Sequence, residues 1–381
     1  MPVPIQYPNV NWVNGMKIRK EHFIQQENAF EDKLKDVAAC FLNSNNYGIL
    51  PLSADSAGSF KVLFQIGNQN RLDVSVLQLR AVTPAGARIE VLEDQRSQSF
   101  SLAIDDEIAA TKKGDSTDYY VLLTVDLFNR KPFGNPNPDE EPPRYPYTEP
   151  SYKVHLIPEA GISPGSAYPY SLVIGKTSFK PGAIDVLEDY IPACTCLNSH
   201  QKLIDFRLLV EKFFNHLEVN LVSIIRKIRE KGHDSTLSES VLRLAENLIS
   251  FTNTNNLKIR WQLPYLAPVY LFENIASFAR IIRNTIDCNS AAQKEEMLNY
   301  FTNWSELKQG EFERLLVQCI NFEYNHNEIL GSVSEFSEFV QIINSLFEKL
   351  ESLAYIGKKK ETNIFVKEQS QQGSKRSFLL D

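Results

Sequence analysis

The sequence contains no apolar run that approaches the roughly 20 residues a helix needs to cross a bilayer. Its start, MPVPIQYPNV, has neither the basic residues nor the apolar segment of a secretory signal peptide. Cysteine is scarce, and its five residues are an odd number without the spacing of a disulfide framework. These absences predict a cytoplasmic protein with reduced thiols and without direct insertion into a membrane.

An excess of positive charge is absent as well. The net charge of −7 gives no electrostatic reason to expect nucleic acid or an anionic membrane as a partner. The sequence also lacks a P-loop, a Rossmann glycine triplet and an H-E-x-x-H metal motif. We therefore predict a protein that is not an enzyme and that needs no cofactor. Catalysis in a cleft that no motif reveals is an alternative.

One short segment, CTCLNSH, places Cys194, Cys196 and His200 close together. A structural zinc site needs a second pair of ligands, and no such pair is present in the sequence. We predict no metal site here. We expect these thiols to be buried at a junction between domains, where a free cysteine is most often a small core residue.

Proline separates the chain into two halves. All but two of the 19 prolines precede residue 193. Because proline disrupts helix interiors, we expect strands and loops in the first half and long helices in the second. The proline-rich segment 130–150 predicts a solvated, extended loop. Segments rich in β-branched and aromatic residues predict seven strands and a β-sandwich: residues 60–67, 71–82, 87–93, 118–128, 152–157, 170–179 and 183–191.

The second half predicts six amphipathic helices, so the fold class is α+β. In the first of these helices, apolar residues recur at intervals of three and four, which is the spacing of a coiled-coil seam. Each stripe could simply close its own core, but the first keeps its register for longest. We predict that it forms the neck of an oligomer, through Leu203, Phe206, Val210, Phe213, Leu217, Leu221 and Ile224.

The N-terminal residues 11–32, NWVNGMKIRKEHFIQQENAFED, place a tryptophan and a turn-like Asn14-Gly15 pair ahead of a helix that begins near Lys20. We expect the apolar face of this helix to pack on the sandwich, through Phe23, Phe30, Leu34, Val37, Ala38 and Phe41. The preceding arm either joins the sandwich as a strand or is held by a partner protein, with Trp12 as its buried anchor.

The order of these residues resembles the TssK family, the baseplate connector of the type VI secretion system. That family opens with W-x-E-G-M followed by H-F-Q-x-Q. Asn14 and Ile24 depart from the pattern. The segments TPAGARIEV, YIPACTCLNSHQKL and LPYLAPVYLFENIASFARII are also similar to the family, and the resemblance covers about residues 8–290. The residues that match the two N-terminal elements are Trp12, Gly15, Met16, His22, Phe23 and Gln26.

The resemblance implies a homotrimer with a β-sandwich shoulder like that of phage receptor-binding proteins, and a helical neck. It implies a non-catalytic adaptor at the inner face of the bacterial envelope. The N-terminal region would grip the TssF–TssG wedge of the baseplate, and the C-terminal region would engage the envelope-side complex. The wedge contact is expected at Ile18 and at the matching residues, which are Trp12, Gly15, Met16, His22, Phe23 and Gln26.

The C-terminal part departs from the family, which usually ends in a mixed α/β head; residues 290–355 read as helix. We hypothesise a divergent branch, with Bacteroidetes-type systems as the candidate, and the envelope-side partner stays open. The alternative function is a phage-like receptor- or carbohydrate-binding protein that uses Phe133, Tyr145 and Tyr147. The predicted divisions are an arm (1–19), a shoulder (20–192), a neck (193–290), a helical region (291–356) and a polar tail (357–381).

Overall fold

The structure is a computed structural model. It describes residues 3–51, 58–67, 71–93, 97–103, 117–159, 168–180, 183–187, 189–231, 235–304 and 308–357. Apart from Gly357, the predicted polar tail lies outside these residues. The fold is α+β, as expected from the sequence. Among the described residues, no helix has both the length and the apolar character needed to span a membrane.

The first half of the chain folds into two antiparallel sheets that pack face to face. In the first sheet, β3 is central and pairs with the other four strands, whereas the second sheet has the order β7-β6-β8-β9. Alternate residues of β3 and β6 point into the shared core, which is the period of a half-buried strand. The strands are β1 (Gly48–Ile49), β2 (Phe60–Gly67), β3 (Arg71–Val82), β4 (Arg88–Val91), β5 (Gln98–Ala103), β6 (Thr117–Phe133), β7 (Tyr147–Pro158), β8 (Ser171–Lys180) and β9 (Ala183–Val186).

The β-sandwich and all seven sequence-predicted strands are present, and β1 and β5 are additional. The prediction of a loop at 130–150 is wrong at both ends, because β6 and β7 continue as a two-stranded ribbon in which Arg130 pairs with Pro150 and Phe133 with Tyr147. The ribbon follows a bulge after Asp126. Prolines are tolerated here because β8 pairs with β6 only up to Thr124, so each strand of the ribbon has a free edge.

In the part of the chain that the structure describes, one α-helix precedes the sandwich and six follow it. All seven agree with the helices expected from the sequence. Helices α2, α3 and α7 are the longest, and α2 lies against both α3 and α7. The helices are α1 (Lys20–Ala39), α2 (Gln201–Lys231), α3 (Thr236–Trp261), α4 (Val269–Asp287), α5 (Ala291–Trp304), α6 (Gln309–Ile320) and α7 (Ile329–Ser352).

The apolar stripe of α2, predicted as an oligomer neck, lies in the core of its own chain. Phe213, for example, is 4% exposed and meets the Phe278 ring of α4 at a centroid distance of 5.7 Å. A side chain already buried in this way has no surface left for a second copy, so the assignment of the neck to this stripe is corrected. The residues concerned are Leu203, Phe206, Val210, Phe213, Leu217, Leu221 and Ile224, all 0–4% exposed.

The connection between α6 and α7 joins the helices to the sandwich. The imidazole of His326, only 2% exposed, lies between the Tyr47 carbonyl oxygen (2.9 Å) and the Tyr324 hydroxyl (2.7 Å). The Tyr47 hydroxyl donates to Asn327 Oδ1 at 2.9 Å, and the Tyr190 hydroxyl donates to the Asn327 carbonyl at 2.7 Å. A segment as polar as YNHNE is normally expected in a solvated loop, but here it is a buried joint.

Candidate partner-binding surface

The N-terminal arm turns sharply before α1. The main-chain N–H of Met16 donates to the Val13 carbonyl at 3.2 Å, which closes a tight turn around Asn14 and Gly15. Gly15 has a φ of +79°, a conformation that favours glycine, and it faces open space. The turn brings Trp12 back over the start of α1, where its ring centroid lies 6.1 Å from that of His22 and 6.4 Å from that of Phe23.

Helix α1 turns its polar face to the protein and its apolar face to solvent. The residues it buries are Asn28, Ala29, Asp32, Lys35 and Ala39. The expectation that the apolar face packs on the sandwich is therefore wrong. The large side chains of that face are 57–79% exposed, and they are Phe23, Phe30, Leu34, Val37 and Phe41, which we call the α1 stripe.

A buried ion pair holds α1 in this orientation. Lys35 Nζ lies 2.7 Å from Asp32 Oδ1 and donates a hydrogen bond to the Tyr170 hydroxyl at 2.9 Å. The same ammonium group lies 5.8 Å from the centroid of the Phe128 ring. Because Tyr170 and Phe128 belong to the sandwich, their contacts with Lys35 hold the polar face of the helix inward and leave the α1 stripe outside.

Asp32 also fixes the first residues of the arm along α1. Its Oδ2 accepts hydrogen bonds from the main-chain N–H groups of Gln6 and Tyr7, the latter at 2.9 Å. The Tyr7 ring packs on Phe128 with a centroid distance of 4.3 Å. Burial opposes ionisation of Asp32, but its bonds to Lys35, Tyr7 and Gln6 outweigh that effect and lower its pKa. The carboxylate is therefore charged at neutral pH.

A glycine turn of the sandwich packs closely against the buried side of α1. In the Thr83–Gly86 turn, Gly86 has a φ of +84°, and a Cβ atom there would lie 2.1 Å from the Lys35 carbonyl oxygen. The main chains of the turn and the helix thus approach closely, which only glycine allows. This turn belongs to the TPAGARIEV segment that carries part of the sequence resemblance.

The structure places the sequence-predicted wedge-contact residues in and around the turn of the arm and on the first two turns of α1. Trp12 is 47% exposed, Ile18 and Phe23 are exposed, and Met16, His22 and Gln26 are half-buried. Gln26 also faces the arm, since its Oε1 accepts a hydrogen bond from the Val10 N–H. Sequence reasoning missed Asp32, Lys35 and Tyr7, because a Lys and an Asp three residues apart on a helix normally indicate a solvated face.

A second exposed apolar surface lies on the helices, where α3 ends and α4 begins. Trp261 and Tyr265 are 64% and 73% exposed, and Leu257, Leu266 and Tyr270 are exposed as well. We call these five residues the α3–α4 patch. Monomeric proteins rarely leave such large side chains uncovered next to one another. At the ribbon, Tyr145 and Tyr147 are also exposed, while Phe133 is half-buried.

The Cys194–His200 segment has the structural role expected from the sequence. Cys194 and Cys196 are buried, and burial raises the pKa of the Cys194 thiol, which keeps it protonated and unreactive. Across the described residues, no group of three His, Cys, Asp or Glu side chains is placed to hold a metal ion.

One enzyme-like pattern does occur in the sequence. The segment GISPG, residues 161–165, has the G-x-S-x-G spacing of a nucleophile elbow, although it lies outside the described residues. An elbow of that type is a turn from a strand into a helix. In the chain this segment lies between β7 and β8, each of which pairs antiparallel with β6.

No protein-family model matches this sequence, and no curated protein matches it. Solved structures of TssK and of type VI secretion baseplates are similar to the structure of this chain. A crystal structure of TssK is 14% identical, with a TM-score of 0.46, and covers 90% of this chain and 70% of that one. TssK from the type VI system of EAEC, solved in complex with nanobody nb18, is 14% identical with a TM-score of 0.44, covering 86% of this chain and 99% of that one. A chain of the baseplate complex from the type VI secretion system is 13% identical with a TM-score of 0.48, and the match covers 91% of this chain and 100% of that one.

Proposed function

We propose that this protein is a non-catalytic structural adaptor of a type VI secretion baseplate. It binds the TssF–TssG wedge through the arm and the start of α1, and it connects the contractile tail to the envelope-side complex through its C-terminal helices. It acts at the inner face of the bacterial envelope. The choice of TssF and TssG rests on the resemblance of residues 11–26 to the TssK family.

The observation that carries this proposal is the exposed apolar surface around Trp12. Trp12, Val13 and Ile18 of the arm and Phe23 of α1 are each about half exposed or more, and the arm is held by hydrogen bonds at Tyr7 and Val10. An ordered, preformed apolar surface with a central tryptophan is typical of a protein–protein contact, because it loses little conformational entropy on binding.

We propose further that the protein is a homotrimer and that the α3–α4 patch, rather than the interior stripe of α2, forms contacts between copies. Trp261 and Tyr265 are suited to that role because aromatic side chains dominate the centres of stable interfaces. The Trp261→Asp variant is expected to yield monomers by light scattering at micromolar concentration. A folded Trp261→Asp trimer would show that the patch is not the contact.

Co-expression with the wedge subunits tests the adaptor function. The wild-type chain is expected to co-purify with TssF and TssG, and Trp12→Ala is expected to weaken that association by at least about tenfold, a typical loss at a binding hot spot. Lys17→Ala is the matched control, since Lys17 is an exposed, charged residue of the same arm. Circular dichroism confirms that each variant is folded. Unchanged co-purification by a folded Trp12→Ala variant would contradict the proposal.

A receptor- or carbohydrate-binding function is the second candidate, and the observation in its favour is the exposed pair Tyr145 and Tyr147 on the ribbon. Aromatic rings on a projecting ribbon could stack on sugars. A glycan array tests this directly. Binding that is lost in the Tyr147→Ala variant would support the second candidate against the adaptor.

A further inference from the structure

The α1 stripe has the spacing of one side of a coiled coil. Its members, from Phe23 to Phe41, are separated by seven, four, three and four residues, and Glu27 occupies the intermediate position of the first interval. Intervals that alternate between three and four residues align side chains along one line of a helix. We propose that a single amphipathic helix of a partner protein packs along this stripe. This proposal rests on the adaptor function and names the partner element that the wedge supplies.

The length of the stripe fits a helix better than a loop. It extends over 19 residues, and the 18 steps from the first to the last, at 1.5 Å each, amount to about 27 Å, or about five helical turns. From Phe23 to Val37 the stripe lies on α1, and Phe41 follows two residues after the helix ends. No other described element covers the stripe, since its members are 57–79% exposed. A partner helix of about 18 residues would cover all five side chains. Next to Phe23, the partner helix would also reach Trp12, because the ring centroids of Trp12 and Phe23 lie 6.4 Å apart.

The charges that flank the stripe differ on its two sides. With 100° of rotation per residue, Glu27 and Glu31 lie on one side of the line through Phe30 and Phe41, and Lys33 lies on the other. Glu27 is 66% exposed although it contacts Arg130 at 3.0 Å, and the Lys33 ammonium donates to Asn9 Oδ1 at 2.9 Å. These charges are therefore held in place beside the stripe and can select among partner helices.

The same charges disfavour a second copy of α1 as the occupant. In an antiparallel pair, residues on a given side meet their own equivalents, so Lys33 would face Lys33 of the second copy and Glu31 would face Glu31 of the second copy. In a parallel pair, Glu27 would face Glu27 of the second copy between two apolar layers. Like charges placed opposite each other in this way oppose association.

The occupant is therefore a helix of a different polypeptide, with a charge pattern complementary to this one. It carries apolar residues at intervals of three and four. It places an acidic residue opposite Lys33 and basic residues opposite Glu27 and Glu31. A helix with this pattern would add affinity through the apolar seam and would fix its direction and register through the flanking charges.

Photo-crosslinking in the full chain, co-expressed with TssF and TssG, tests this inference. A photoreactive amino acid is placed at Leu34 in one variant and at Trp12 in another, and crosslinked peptides are identified by mass spectrometry. From position 34, we expect one peptide of a wedge subunit with apolar residues at intervals of three and four. The corresponding synthetic peptide should gain helicity on binding the purified chain.

Affinity measurements with that peptide give the second test. Val37→Glu is expected to weaken binding by at least tenfold, and Lys33→Glu by about fivefold with partial recovery when the opposing acidic residue of the peptide is changed to lysine. Gln25→Glu is the matched control, because Gln25 is exposed on α1 but lies away from the stripe. Equal affinities for Val37→Glu and Gln25→Glu would overturn the inference.

The crosslinks separate failure of the inference from failure of the adaptor function. A crosslink from position 12 to the wedge, together with none from position 34 or with one to a non-helical segment, overturns the helix proposal and leaves the adaptor function standing. A crosslink from position 34 to another copy of this chain also overturns the helix proposal. If neither position reaches TssF or TssG, both proposals fail.

Discussion

Lys35 Nζ lies 2.7 Å from Asp32 Oδ1 on the buried side of α1, where both side chains are shielded from solvent. This pair decides which side of the helix faces outward, because Lys35 also binds Tyr170 on the sandwich and Asp32 also binds the main chain of the arm at Tyr7. The outward direction of the α1 stripe thus depends on two charged residues that do not belong to it.

Breaking this pair is expected to destabilise both the helix and the arm. In Asp32→Asn, Lys35 stays buried without its counter-ion, which costs about 3–5 kcal/mol of unfolding free energy. The double variant Asp32→Leu/Lys35→Met should lose less stability than the sum of Asp32→Leu and Lys35→Met, because no unpaired charge is left inside. Denaturant unfolding gives the free energy of unfolding of the wild type and of these four variants. Strictly additive losses would show that the two residues act independently.

Substitution of Gly86 is expected to displace α1 from the sandwich. Gly86→Ala adds a methyl group 2.1 Å from the Lys35 carbonyl oxygen, at a φ of +84°. The matched control is Gly15→Ala, which has a similar φ of +79° but no atom within 4 Å of the added methyl group.

The difference between these two variants isolates the effect of the close contact. Both variants are expected to lose about 1–2 kcal/mol of unfolding free energy, because alanine is strained in a left-handed conformation. Gly86→Ala should lose about 1–3 kcal/mol more, because its methyl group overpacks the contact with α1. Hydrogen exchange should show faster exchange of α1 amides in Gly86→Ala alone. Equal losses of stability in the two variants would mean that α1 does not need this contact.

A matched pair on α2 tests whether its stripe is interior. Phe213 is 4% exposed and Val219 is 65% exposed on the same helix. Phe213→Asp buries an unpaired carboxylate and removes a packed ring, so a loss of at least about 4 kcal/mol is expected. Val219→Asp should change stability by no more than about 0.5 kcal/mol. Denaturant unfolding distinguishes them, and a stable, well-folded Phe213→Asp protein would return this stripe to the surface.

The sequence predicts the elements of this fold well, because strands and helices follow from local periodicity and from where proline is present. Prediction from the sequence fails where the burial of a side chain is judged from its polarity alone. The apolar face of α1 was expected inside, since most amphipathic helices bury that face, but α1 buries Asp32 and Lys35 and exposes its apolar face. The stripe of α2 has coiled-coil spacing, but spacing does not distinguish an intersubunit seam from a helix core.

The polar segment around His326 shows a related limit. Nothing in YNHNE indicates burial, because three of its residues find partners on distant elements: His326 on Tyr47, Asn327 on Tyr190, and Glu328 on Tyr120 at 3.0 Å. These contacts join residues that lie 137 to 279 positions apart in the chain. Only tertiary structure brings such partners together.

The buried imidazole of His326 makes stability depend on pH. Burial lowers its pKa from 6.5 to about 4, although the Tyr47 carbonyl opposes that shift. As the pH falls below about 6.5, the unfolded chain binds a proton at this residue and the folded chain does not, so the free energy of unfolding decreases. The decrease levels off near pH 4 and amounts to at most about 3 kcal/mol from this group.

Denaturant unfolding at a series of pH values between 4 and 8 measures this contribution. His326→Gln is expected to be less stable at pH 8, because it loses the bonds to Tyr47 and Tyr324, yet its stability should decline less steeply between pH 6.5 and 4. His155→Gln is the control, since His155 is exposed on β7 and its replacement should leave the wild-type pH profile intact. Carboxylates such as Asp32, with its lowered pKa, lose their contribution at lower pH than the imidazole does, which separates the two effects. A profile for His326→Gln as steep as that of the wild type would mean that another group, not this histidine, controls the acid sensitivity of the joint.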